Sequence, residues 1–461
     1  MNFSNELQIK AGDGVVESTI QQQYETLVGQ LNQAMLVTKH DRVPLLRRIM
    51  AHLGQPDRYF HVSHLAGTNG KGSTGAMLAS VLQAQGYRVG RFSSPAINDE
   101  REQLQLNGHW ISPADFIDSY HEIVPVLTNM GLKVADISIF EWYFLIGMVW
   151  FRNQKVDWAI VEAGLGGQYD ATNALAGPQL TIFTKIALDH QKILGPTITA
   201  IAHNKSKIIK PKTQVVTLAD QNPEALTVLQ VEAERQEVPL IQAQQLQLTV
   251  EQATIDGSII DATSDLFTWK KLQLGLVGQY QVQNLGLVLT AVAVLRQQRV
   301  TISDDAVRTG LRQVTLPGRL TVLQKHPVIL ADGAHNPDGM QALVKSVQAL
   351  LPQRRLIWVV GVLRDKDYQA MLTTLLPAAT VLITNTPANP QRALPATQLA
   401  QTATALASPN KPVVLVAADI QAALKLAQEQ ATTDSGIIVT GSFYVMRELQ
   451  QQGWQVLPND H

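Results

Sequence analysis

The string Ala66-Gly67-Thr68-Asn69-Gly70-Lys71-Gly72-Ser73-Thr74 carries the residue types that hold a phosphate. Glycines let the backbone fold tightly, so that N–H groups around Thr68, Asn69, Gly70 and Gly72 converge. A helix expected to follow adds partial positive charge at its N-terminus. Lys71 can reach outer phosphate oxygens, and the Ser73 hydroxyl can sit on a Mg²⁺ ion. The strict pattern G-x-x-x-x-G-K-[ST] is not met: Leu65 stands at the first glycine position and Gly72 separates Lys71 from Ser73. The plain alternative is a Gly-Asn turn with a solvated lysine. A strand before the loop and a helix after it favour the phosphate site. Glu162 ends the apolar run WAIVEAG. A carboxylate at the carboxyl end of a parallel strand faces the phosphate loop of its neighbour. Mg²⁺ prefers carboxylate and phosphate oxygen, so Glu162 is a metal-ligand candidate. His190, in Leu188-Asp189-His190, reads on chemistry alone as a structural histidine, because imidazole matches Mg²⁺ poorly. Asp189 reads as an orienting residue or a cap.

These groups need a scaffold of alternating strands and helices. Apolar spacing predicts helix over 17–54 and a short strand from Tyr59 to Leu65. A helix from Ser73 to Gln85 and a strand from Arg88 to Phe92 complete a βαβ unit around the loop. Further helices are expected at 114–129, 141–153 and 197–207, and strands at 158–162, 180–185 and 215–218. Between 220 and 275 glutamines are dense, and LQLTVEQATI suggests short antiparallel strands. A second alternating region starts near Val328, with strands at 328–331, 356–360, 381–384, 413–416 and 437–440. Thr315-Leu316-Pro317-Gly318 interrupts the pattern, which divides the chain into 1–315 and 316–461. The fold class is therefore α/β: a mostly parallel sheet carrying the phosphate loop, and a smaller Rossmann-like C-terminal α/β domain.

Composition narrows the classes. A chain of 461 residues is too long for one ordinary domain. Lys plus Arg number 37 and Asp plus Glu 38, which gives no electrostatic footprint for a duplex or an anionic membrane. Cysteine is absent, removing disulfides, thiolate metal sites and cysteine nucleophiles together. No stretch has the length of a membrane span, and the N-terminus lacks a signal-peptide pattern. The expectation is a cytoplasmic protein with small-molecule partners, and neither nucleic acid nor membrane among them.

The string GTNGKGS resembles the ATP loop of the Mur ligase superfamily, and its Gly-Ser ending the folylpolyglutamate synthase and dihydrofolate synthase branch. Further blocks agree in order: Ser93-Ser94-Pro95, Asn107-Gly108, Glu162 to Gly167, Asp170 to Asn173, Leu188-Asp189-His190, Gly278 to Gln281, Pro317 to Leu320, Asp332 to Pro337 and Thr440-Gly441-Ser442. The resemblance runs from about residue 25 to about 450.

It implies an ATP-dependent acid–amino-acid ligase. A folate or dihydropteroate carboxylate becomes an acyl phosphate, and the amine of L-glutamate then displaces phosphate. It implies ATP and two Mg²⁺ ions, with Ser73, Glu162, His190 and Lys205 at the metals. Lys205 is the position at which the family carries a carbamylated lysine; its plain alternative is a basic solvated face shared with Lys207, Lys210 and Lys212. Lys71, Lys205 and His190 are the implied catalytic groups. Asn284, Arg319, Asp332 and His335 are implied nucleotide contacts, with Gln281 near the base. Ser442 and Lys366-Asp367 are weaker candidates for the glutamate or folate side. A monomer is implied. The chain departs from the commoner pattern at Ala96, Gln103, Gln168 and Tyr280, where histidine, arginine, arginine and histidine are frequent. Two other functions remain in view: a Mur-type ligase acting on another carboxylate, and a catalytically silent nucleotide-binding regulator.

Overall fold

The computed structural model describes residues 6–32, 41–97, 99–406 and 411–455. Eight strands form the first sheet: β1 (His61–Ala66), β2 (Val89–Phe92), β3 (Leu104–Leu106), β4 (His109–Trp110), β5 (Trp158–Glu162), β6 (Leu180–Phe183), β7 (Gln214–Thr217) and β8 (Leu240–Ile241). Their order is β4-β3-β2-β5-β1-β6-β7-β8. Pairing is parallel from β2 to β8, while β3 and β4 add an antiparallel edge. The central strands are buried on both faces, as a parallel sheet covered by crossover helices must be. In β5, Trp158 and Ile160 enter one core while Ala159 and Val161 enter another. That two-residue alternation places the cores on opposite faces. Helices Lys71–Ala84, Gln279–Gln297 and Asp304–Gln313 cover one face, and Val43–His52, Pro113–Asn129 and Ile139–Asn153 the other.

β9 (Gln247–Thr254), β10 (Gly257–Thr263) and β11 (Thr268–Leu274) form a separate antiparallel sheet. The third sheet joins β12 (Thr321–Lys325), β13 (Val328–Ala331), β14 (Arg355–Val360), β15 (Val381–Thr384), β16 (Val413–Val416) and β17 (Ser435–Thr440) in the order β12-β13-β17-β14-β15-β16. All of it lies beyond residue 316, and only β12 runs antiparallel.

Three expectations need correction. The helical reading over 17–54 becomes two helices, Glu6–Leu31 and Val43–His52; residues 33–40 within it lie outside the described residues. The 220–275 region opens with a helix, Pro223–Arg235, and a parallel strand before its antiparallel strands begin. Asn222 caps that helix and Pro223 starts it, signals that the glutamine-rich texture obscured. The edge strands β3, β4 and β12 were not expected: short, half-polar edge strands carry little periodic signal.

Candidate active site

The phosphate loop joins the carboxyl end of β1 to the helix Lys71–Ala84. Gly70 sits at that helix's N-terminus with φ of 92°, a backbone geometry that glycine adopts without strain. A side chain there would meet Asn284, whose Oδ1 lies 2.5 Å from the position of an added Cβ. The loop is pinned to the segment after β6. The Thr68 N–H donates to the Lys185 carbonyl at 2.7 Å. The Thr68 hydroxyl donates to the Ala187 carbonyl at 2.9 Å and accepts from the Ala187 N–H at 3.0 Å. That segment continues into Asp189 and His190.

Lys71 folds back over the loop, its Nζ donating to the Gly67 carbonyl at 3.1 Å and standing 3.7 Å from Glu162 Oε1. Lys205, on the helix Ile198–Ser206, is buried and its Nζ donates to the same carbonyl at 2.7 Å. Burial first, and the Lys71 charge second, bring its pKa down to about 7. Lys205 is thus buried against the loop and is not part of a solvated basic face. Burial raises the pKa of the Glu162 carboxyl, against the pull of Lys71, Arg91 and Arg319. His190 starts a short helix at φ of 49°, and burial holds its imidazole below the ordinary histidine pKa.

From the third sheet, the turn after β13 supplies Asp332, His335 and Asn336. Asp332 accepts from the N–H groups of Leu320 at 2.9 Å and Ala334 at 2.8 Å, and from the Tyr280 hydroxyl at 2.7 Å. Its pKa is raised by burial, which Arg319 opposes. His335 Nδ1 faces the Gly333 carbonyl at 2.9 Å, and burial lowers its pKa to about 4. Arg319 stacks over Phe443, 4.7 Å from the ring centre.

Polar contacts bring the two halves together. Asp189 accepts from Lys366 Nζ at 2.9 Å and Asn336 Nδ2 at 3.0 Å. Burial alone would raise its pKa; Lys366, His190 and His335 instead hold it well below the usual carboxylate range. Asn69 donates to Asp338 at 2.7 Å, and Lys185 pairs with the same carboxylate.

One cleft of about 1280 Å³, open to solvent, collects the expected loop, metal-side and nucleotide-side residues except Gln281, and leaves Ser442, Lys366 and Asp367 outside its lining. Thr68, Asn69, Gly70, Lys71, Gly72 and Ser73 line it from the loop; Glu162, His190, Lys205 and Asn284 come from the rest of the first half; Arg319, Asp332 and His335 face them. Gln281 stays behind the wall, fully buried, accepting from Asn284 Nδ2 at 3.1 Å. The Ser442 hydroxyl caps the last helix by accepting from the Val445 N–H.

Among the described residues no three His, Cys, Asp or Glu side chains gather to hold a metal. The hydroxyl of Ser73 and the carboxylate of Glu162 face one cleft, an oxygen-only set that suits Mg²⁺ completed by phosphate and water. His190 and Lys205 line the same cleft; Lys205 as a free amine offers a poor ligand for a hard cation, and as a carbamate an oxygen one.

Sequence reasoning missed Tyr280, Asn336, Asp338 and Lys185 as site residues. Asn336 had been legible only as a turn former. It caps the helix Pro337–Leu350 through its Oδ1 and reaches Asp189 and Asn69 with its Nδ2. Of the departures, Tyr280 fills its place with a bond to Asp332. Gln103 is buried and donates to Glu100 at 2.8 Å. Gln168 donates to the Tyr169 hydroxyl at 3.1 Å, and Ala96 is buried.

Comparison with known proteins gives two family matches: the Mur ligase middle domain over residues 148–294 and the Mur ligase glutamate ligase domain over residues 318–443. A dihydrofolate synthase/folylpolyglutamate synthase of Bacillus subtilis is 36% identical over 334 residues, which is 72% of this chain and 77% of the relative. This chain belongs to the folylpolyglutamate synthase/dihydrofolate synthase family. The solved Mycobacterium tuberculosis folylpolyglutamate synthase with ADP superposes with a TM-score of 0.84 at 28% identity, over 96% of this chain and 100% of that one. The bifunctional Yersinia pestis family member, solved with AMPPNP and a Mn ion, gives 0.79 at 26% identity, over 93% and 97%. Family membership sets aside the reading of a Mur-type ligase acting on another carboxylate. No helix among the described residues is long and apolar enough to cross a membrane.

Proposed function

We propose that this chain is an ATP-dependent acid–amino-acid ligase that joins L-glutamate to the γ-carboxylate of a folate, with dihydrofolate synthase activity as a second capacity. The observation that carries this reading is the single cleft in which the phosphate loop, Glu162, His190 and Lys205 face Arg319, Asp332 and His335.

The carboxylate oxygen of the acid attacks the γ-phosphorus of ATP and ADP leaves, giving an acyl phosphate. The glutamate amine then attacks the acyl carbon, and phosphate departs with its bonding electrons as the amine loses a proton. Neither step needs a covalent protein nucleophile, so positioning and charge neutralisation do most of the catalysis. The loop N–H groups and Lys71 hold the phosphates. Arg319, just past the 315–318 linker, meets developing phosphate charge from the other half. Ser73 and Glu162 hold one Mg²⁺, and His190 with a carbamylated Lys205 a second. The metal neutralises phosphate charge when bound. A lysine amine with a pKa near 7 is in good part neutral at neutral pH, and the neutral amine is the form that adds carbon dioxide. Asn284, held from behind by Gln281, flanks the base side, and Asp332 and His335 the ribose side. The working division is a domain over 1–315 and another over 316–461, and the working form a cytoplasmic monomer with small-molecule partners.

ADP release from purified protein with ATP, Mg²⁺ and L-glutamate tests the reading, with a reduced folate in one arm and dihydropteroate in the other. Turnover with folate alone gives a dedicated folylpolyglutamate synthase; turnover with both gives a bifunctional enzyme. ATP binding with no turnover in either arm overturns the ligase reading and supports a nucleotide-binding regulator.

A further inference from the structure

A second chamber of about 1360 Å³, open to solvent, adjoins the nucleotide cleft at Glu162. It is walled by the helix Lys71–Ala84, the strands β2 to β4 and the segment 313–319 that contains the linker. The two spaces share Gly72, Ser94, Pro95, Glu162, Arg319 and Phe443. Arg91 lines only the second. The alternation of β2 puts it there. A Cβ on Gly90 would strike Phe151, and Phe92 packs in that same core, so Arg91 projects to the opposite face.

The Arg91 guanidinium, unlike its backbone in the β2 ladder, makes no hydrogen bond and no ion pair with any described residue. Glu162, Glu102 and Arg319 act on it only at longer range. The Glu102 carboxylate is engaged, accepting from the Ile97 N–H at 2.7 Å, and Glu162 stands beside Lys71. A half-buried guanidinium without a partner costs stability. Its planar fork is the side chain best shaped for a carboxylate. Trp110, among the few exposed large apolar residues, lines the same chamber and offers a ring face.

The reaction proposed above explains why a second anion receptor is useful. A folate ends in a glutamate with two carboxylates, of which one is activated. That one must reach the phosphates, at the boundary where Arg319 serves both spaces. The other must be held elsewhere, or the wrong carboxylate would be presented. Resting on that reading, we propose that Arg91 binds the non-reacting α-carboxylate of the acid substrate's terminal glutamate, so that it selects the γ-carboxylate and favours folates over dihydropteroate.

The test uses the full chain with ATP, Mg²⁺ and L-glutamate. Three acids are compared: tetrahydropteroylglutamate, its α-amide, and dihydropteroate. The parent should prefer the α-carboxylate to the α-amide by about 10- to 100-fold in kcat/KM, the range for a charge-assisted hydrogen bond. Arg91→Leu should lose that preference, chiefly through KM, while its ADP affinity by calorimetry matches the parent. Should Arg91→Leu melt early or fail to bind ADP, Arg91→Gln carries the same comparison. A variant that keeps the parent's discrimination between carboxylate and amide overturns the proposal. Parent turnover with dihydropteroate alone also overturns it, leaving the ligase reading intact. No turnover by the parent with any acid removes the ligase reading and the proposal together.

Discussion

Replacing Gly70 by alanine tests the cradle where its geometry is tightest. Gly70 has φ of 92°, and an L-residue pays roughly 1–2 kcal/mol for left-handed backbone. The new Cβ would lie 2.5 Å from Asn284 Oδ1, so the amide must turn away. Turning breaks its 3.1 Å donation to Gln281, worth about 1 kcal/mol in a buried setting. The sum is about 2–3 kcal/mol. If the loop holds its shape, that sum appears as lost stability in urea unfolding. If the loop relaxes, it appears as ADP affinity weakened about 30- to 160-fold by calorimetry. The double variant Gly70→Ala/Asn284→Ala removes the clash but not the strained φ. The two substitutions should therefore be sub-additive by about 1 kcal/mol. ADP affinity and unfolding midpoint both matching the parent, or strict additivity in the double variant, would refute the reasoning.

Tyr280→Phe deletes one of three donors to buried Asp332; it should cost about 1.5–3 kcal/mol and raise KM for ATP, checked by unfolding and initial rates. Lys205→Met should flatten a pH slope in stability. The folded amine has its pKa near 7 against 10.5 when unperturbed, so between these values the unfolded chain binds the extra proton. Parent stability then rises with pH across that window, and parallel urea midpoints for parent and variant from pH 7 to 10 in carbon-dioxide-free buffer would count against it. Asp189→Asn strips a nearly buried pair from Lys366 and should lower the unfolding free energy by about 3 kcal/mol. Lys185→Ala breaks a pair whose lysine is 47% exposed, and its effect should stay within about 1 kcal/mol; equal losses for the two variants would contradict the burial argument.

Much of the site could be read from single residues because its parts are local. A glycine-rich turn between a strand and a helix is written in nine consecutive residues, 66–74, and the structure shows that turn with Gly70 in a left-handed conformation. Glu162 could be placed because a parallel strand delivers its last residue to the carboxyl edge, and β5 lies hydrogen-bonded beside β1. His190 and Lys205 could not be separated from structural or solvated residues on chemistry alone. Resemblance alone singled them out, and burial now distinguishes Lys205 from a surface lysine.

What the sequence by itself determined was the alternation of strands and helices, the phosphate loop and the position of the acidic strand end, because each is encoded within a few consecutive residues. Tertiary structure decided the rest. Asp189 meets Lys366 across 177 positions of chain, and Asn69 meets Asp338 across 269. Tyr280 satisfies Asp332 from another element, and Arg91 faces a chamber bounded by the segment 313–319. No periodicity encodes such meetings, since they depend on how two separately formed sheets dock and on which charges that docking buries.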